Sequence, residues 1–111
     1  MSYGALSGEY WWYEHTNVWE DDRLLTFVPR SIVDARSRRR QMAPLDEYGH
    51  VEAARQTKKL IDQGNTVQLG SHGQMQGVAA HWEMWMFVQG GMTPHEALRS
   101  ASLHGARYLG M

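Results

Sequence analysis

A chain of 111 residues has room for one ordinary domain and one core. Eleven Lys and Arg stand against twelve Asp and Glu, so a formal charge of −1 offers no general field for nucleic acid or an anionic membrane. The absence of cysteine excludes disulfides, thiolate metal sites and a cysteine nucleophile together.

The opening stretch MSYGALSGEYWW has no basic segment followed by an apolar one, so no secretory signal is expected there, and the compartment stays unknown. Residues 1–22 mix glycine, serine and aromatics without a period of 2 or 3.6 and read as an aromatic loop with at most one short turn of helix. Short helices are expected over 23–43: DDRLLTFVP, closed by Pro29, and RSIVDARSRRRQM, with Ile32, Val33 and Ala35 against an arginine-rich remainder.

Over 46–111 the expected order is helix, strand, helix, helix. After Pro44 the segment LDEYGHVEAARQTKKLIDQG is amphipathic, with Val51, Ala54, Lys58 and Ile61 at helical spacing and Leu60 beside them. Asp46 and Glu47 are placed in its first turn and Lys58 and Lys59 near its last, as the helix dipole favours, and Gly64 is a natural stop. TVQLG is the one strong strand candidate, followed by the turn SHGQMQG. A helix over Val78 to Gln89 ends at Gly90 and Gly91. The last begins at Thr93, with Pro94 at its first position and Glu96 closing a capping box, and Gly105 interrupts or ends it. This rhythm implies an α/β fold, mostly helical with one or two short strands, although the sheet neighbours of TVQLG are not evident.

The run VAAHWEMWMFV is far shorter than the roughly 20 residues that span a bilayer, so no membrane segment is expected. As a helix it is apolar nearly all round: Val78, Trp82 and Trp85 share one face, Ala80, Met84 and Phe87 another, and Met86 fills the gap. A chain of this size buries about 60–65% of its unfolded surface, which makes such a helix hard to cover. Either the chain self-associates through it, or it belongs to something larger.

His72, just beyond TVQLG, is either a functional group at a strand's carboxyl end, where flanking Gly70, Ser71 and Gly73 permit close approach, or a turn histidine bonded to local backbone. His81 and Glu83 point about 200° apart on a helix and cannot hold one ion; one should face the strand's end while the other makes a structural hydrogen bond. GEYWWYEHTNVW is either a stacking platform or a set of rings packed on the body of the protein. ARSRRRQM resembles a phosphate-binding stripe, but Asp34, Glu47 and the overall balance favour a solvated face, and nucleic acid is not an expected partner. No phosphate-cradling glycine loop, nucleophile elbow or HExxH is present.

The segment from Leu69 to Met111 resembles the end of the catalytic domain of the metal-dependent amidohydrolase superfamily. It matches in order a strand ending in Gly-small-X, a helix with His-X-Glu, then GGMTPHEALRSAS and GARYLG. YGALSGEYWWYEHTNVWEDDRLL further resembles a subgroup related to amidohydrolases linked to a Tol-type β-propeller. The resemblance implies a carboxyl-terminal fragment of a (β/α)₈ barrel, with TVQLG as the eighth strand and His72 where most members carry a metal-binding or proton-transferring aspartate. It implies hydrolysis of carbon–nitrogen bonds in non-peptide or cyclic amides, with a divalent metal, zinc by family habit, in the full-length enzyme and none held stably by this piece. His72 is then the catalytic candidate and a metal-ligand candidate. Tyr10, Trp11, Tyr13 and His81 are candidates for binding a small-molecule substrate. The HxH of the first strand and the ligands of strands four to six have no counterpart here, so the piece is expected to be inactive alone. The alternative is a small self-associating or partner-binding helical module.

Overall fold

The computed structural model describes residues 6–37, 43–72, 75 and 77–111. Among them lie seven α-helices: α1 (Gly8–His15), α2 (Asp22–Phe27), α3 (Arg30–Ser37), α4 (Gly49–Asp62), α5 (Val78–Gln89), α6 (Pro94–Ala101) and α7 (Leu103–Tyr108). Two 3₁₀ turns, Val18–Glu20 and Leu45–Glu47, join them.

No strand and no sheet occur among the described residues, which overturns the α/β expectation and with it the barrel fragment containing one or two short strands. The reason lies in TVQLG. A strand is stabilised by a ladder to a neighbour, and this segment has none beside it among the described residues. Its backbone groups instead reach helices: the Leu69 N–H donates to the Ser100 carbonyl at 3.2 Å.

Several local expectations shift in the same way. The opening aromatic stretch forms α1, two turns long, rather than a loop. Asp46 and Glu47 occupy a 3₁₀ turn ahead of α4, whose own first-turn acid is Glu52. The break expected at Gly105 falls at Ser102, and α7 runs through the glycine. The capping box expected at Thr93 holds, and a further cap, at Asp21, emerges only in the structure. Asp21 accepts from the Leu24 N–H at 2.9 Å to start α2. Thr93 and Glu96 close a reciprocal capping box, with Pro94 in the first turn. Residues 38–42 of the arginine-rich segment lie outside the described residues.

Helix α5 is the axis of the packing. On one side Ala79, Trp82 and Met86 join Tyr13, Val18, Leu24, Val33 and Met75 in a core built with the N-terminal helices. On another, Phe87 joins Met92 and Ala97, with Ile61, Val67, Leu69 and Met84 packed around them. A helix between two apolar clusters needs apolar residues on both faces, which accounts for its nearly continuous apolar surface. Coverage is incomplete: Trp85 and Val88 remain exposed on a third face. The molecule measures 42 × 33 × 19 Å, so its thinnest dimension is about two helix diameters. Its radius of gyration of 14.6 Å exceeds the roughly 13 Å of a compact domain this long.

Candidate functional site

The extended segment after α4 begins where Gly64, with φ of +86°, ends the helix in the left-handed conformation that glycine tolerates. Val67 and Leu69 turn inward onto the second core, while Thr66, Gln68 and Gly70 face out, an alternation with the period of a strand. Among the described residues three bonds hold the segment: Leu69 N–H to Ser100, His104 Nδ1 donating to the Val67 carbonyl at 3.1 Å, and Gly70 N–H donating to Glu83 Oε2 at 3.1 Å.

Glu83 is a buried carboxylate on a helix otherwise almost wholly apolar. Burial pushes its pKa above the usual carboxylate range, and the Gly70 N–H pulls the other way. The pair pins the end of the segment to α5. Of the two residues in His-X-Glu, Glu83 therefore makes the structural bond.

His72 follows two residues later. It is exposed, with φ of +61°, in the left-handed region that costs a residue with a Cβ about 1–2 kcal/mol. The Gly70 anchor fixes the backbone two residues before this exposed imidazole.

His81 lies elsewhere. It is exposed and lines a cleft of about 600 Å³ between α2 and α5, with Arg23, Phe27, Val28, Gly77 and Trp85 among its neighbours. The aromatic candidates also separate. Tyr13 is buried edge-on against Trp82, ring centroids 4.9 Å apart, and serves the core. Tyr10 and Trp11 are half-buried on α1, and Trp11 stacks on His15 at 3.6 Å. Among the described residues no pocket or ring contact brings His72, His81 and the α1 rings together.

Among the described residues no three His, Asp or Glu side chains converge as a metal site. His72 is a single donor, Glu83 is engaged with Gly70, and His81 lines a separate cleft. These residues do not fit a resident metal.

A polar cluster that sequence reasoning missed lies where α1 meets α4 and α5. Tyr48 donates its hydroxyl to Glu14 Oε2 at 3.2 Å, and His50 Nε2 meets Gln89 Oε1 at 3.1 Å. Trp11 packs edge-on over Tyr48. If the amide oxygen is the acceptor, Nε2 carries the proton, and the buried Nδ1, which has no hydrogen-bond partner among the described residues, keeps its lone pair. Burial holds the His50 pKa below the ordinary imidazole value, against the opposing effect of the Gln89 bond. The partners are 34 and 39 positions apart, so no local motif could reveal them.

The two shifted groups act oppositely on stability. The folded state holds the Glu83 proton more tightly than the unfolded chain, so its contribution is complete below the usual carboxylate range and is lost as pH rises through the elevated pKa. His50 is favoured neutral in the fold, so its contribution is complete above the ordinary imidazole value and is lost as pH falls toward the depressed pKa. Glu83→Gln keeps an oxygen for Gly70 and removes the titration. Urea unfolding of this variant across pH should lack the decline above the carboxylate range and retain the rise due to His50. An unchanged profile would show that Glu83 is not desolvated.

Comparison of the chain with protein-family models, with curated proteins and with solved structures found no match.

Proposed function

We propose that this chain is part of a metal-dependent hydrolase of carbon–nitrogen bonds in non-peptide or cyclic amides, inactive alone, in which His72 handles the proton of the attacking water. The observation that carries the reading is the placement of His72: a strained left-handed residue at the end of an extended segment whose last backbone donor is fixed by a buried carboxylate. Strain of that kind persists where surrounding structure holds it and is common at functional sites. A neutral imidazole can accept a proton from water near neutral pH, which is the role that the resemblance assigns to this position. The metal ligands and the remaining walls come from outside the described residues. The segment over 66–70, with no neighbouring strand among the described residues, and the exposed Trp85 and Val88 of α5 are surfaces such walls would cover.

The second reading is a helical module that associates with itself or a partner, and the same exposed face of α5 favours it. Sequencing the coding region beyond both ends of this chain separates the two. The hydrolase reading expects an in-frame extension with an HxH pair and two further histidines. In that longer protein, His72→Ala should lower kcat on a cyclic amide by about 10²–10⁴, while His72→Asp retains part of the activity. Tight zinc binding with turnover by the 111-residue chain alone would overturn the claim that it is inactive by itself. Full activity in His72→Ala would remove the role given to His72. Absence of the extension, with a concentration-dependent dimer of the chain, would favour the module.

A further inference from the structure

A second pocket, of about 270 Å³, opens beside the start of the extended segment. It is lined by Ile61 and Gly64 from the end of α4, by Asn65 and Thr66, by Glu96 and Arg99 of α6 and by His104 and Arg107 of α7. The break at Ser102 produces this grouping, because it turns α7 so that His104 and Arg107, three apart on one face, meet Arg99 across the corner.

The charges are placed for an anion. Neither Arg99 nor Arg107 has an ion-pair or side-chain hydrogen-bond partner among the described residues. The one carboxylate in the lining is already engaged: Glu96 Oε2 accepts from the Thr93 N–H at 2.7 Å, and its Oε1 pairs with Lys58 Nζ at 3.4 Å. His104 uses Nδ1 for the Val67 carbonyl, which leaves Nε2 as the ring's remaining polar atom, able to donate when protonated. The Thr66 hydroxyl supplies another donor.

We propose that this pocket binds a compact phosphate-type anion. Two guanidiniums, an imidazole and a hydroxyl from three different segments suit a tetrahedral group of oxygens better than a planar carboxylate, which one guanidinium can satisfy by itself. The site is separate from His72: Thr66 and His72 sit at opposite ends of a segment that spans up to about 20 Å when extended. It does not rest on the hydrolase reading.

The test is a titration of the ¹⁵N-labelled chain with inorganic phosphate at fixed ionic strength, with sodium chloride as reference. Saturable shifts of the Thr66, Val67 and His104 amides are expected, with the His72 amide unmoved. Arg99→Gln and Arg107→Gln should each weaken binding about tenfold, the scale of one charge-assisted hydrogen bond. Arg99→Lys, which keeps the charge and the helix propensity, should weaken it less. Thermal melts followed by circular dichroism establish that each variant is folded. Methyl phosphate distinguishes the source: binding of both anions assigns the pocket to phosphomonoesters, and binding of inorganic phosphate alone assigns it to the free ion. Shifts that rise without saturating, an equal response to chloride, or undiminished affinity in the folded double glutamine variant would overturn the proposal.

Discussion

Replacing Trp82 with alanine should cost the folded chain about 3–5 kcal/mol, the range for emptying a buried aromatic site. Trp82 is 1% exposed, packs edge-on to Tyr13 and ties α5 to the core shared with the N-terminal helices. Nothing in a slab 19 Å thick can close over so large a void without moving a helix. Trp85, one turn on, is 43% exposed and touches Trp12 on one side, so Trp85→Ala should cost much less. Urea unfolding followed by far-ultraviolet circular dichroism measures both, and is preferable to fluorescence in a chain with five tryptophans. Against the 5–15 kcal/mol typical of whole domains, the loss at Trp82 would leave the chain marginal or unfolded at room temperature. Equal effects at the two positions would contradict the central placement of α5.

Gly90→Ala is expected to destabilise by about 1–3 kcal/mol, the range for overpacking. Its sign is the informative part. Gly90 has φ of −80°, which alanine adopts freely, so on propensity alone the change would favour the fold. The space forbids it: a Cβ there would lie 2.5 Å from the Ala54 carbonyl carbon and 2.8 Å from the Arg55 nitrogen, both backbone atoms that cannot swing aside. Helices α4 and α5 would have to separate, disturbing the nearby bond between His50 and Gln89 as well. Gly105 provides the contrast, since an added Cβ meets nothing within 4 Å and Gly105→Ala in α7 should stabilise by about 0.5–1 kcal/mol. Thermal melts of the two variants should move in opposite directions. A stabilised Gly90→Ala would mean that α4 and α5 do not approach so closely.

How much of this was legible depends on the range of the interaction concerned. The capping box at Thr93 and Glu96 lies within one helical turn, and so does the Asp21 cap, so local reading found the first and placed the helix started by the second. The stop at Gly64 and the helix Val78 to Gln89 were equally local. Candidate residues were recognisable by type, but their grouping was not. Tyr13 and Trp11 differ by two positions in an aromatic run, yet one is buried and the other half-buried, because α1 presents only one face to α5. His81 and Glu83 were expected to diverge, and which of them would reach Gly70 depended on how α5 is rotated against the extended segment.

By itself the sequence determined the helix Val78–Gln89, the capping box at Thr93, the stop at Gly64 and the unusual apolar girth of α5, since each follows from neighbours within a few residues. Tertiary structure decided whether TVQLG became a strand, because a strand is defined by its partner and here the partners are helix ends and a carboxylate. It also decided where α6 gave way to α7, which polar atoms were buried together around His50, and that Arg99, His104 and Arg107 share one pocket. Those outcomes depend on contacts between residues far apart in the chain or across a helix break, and only packing brings such residues together.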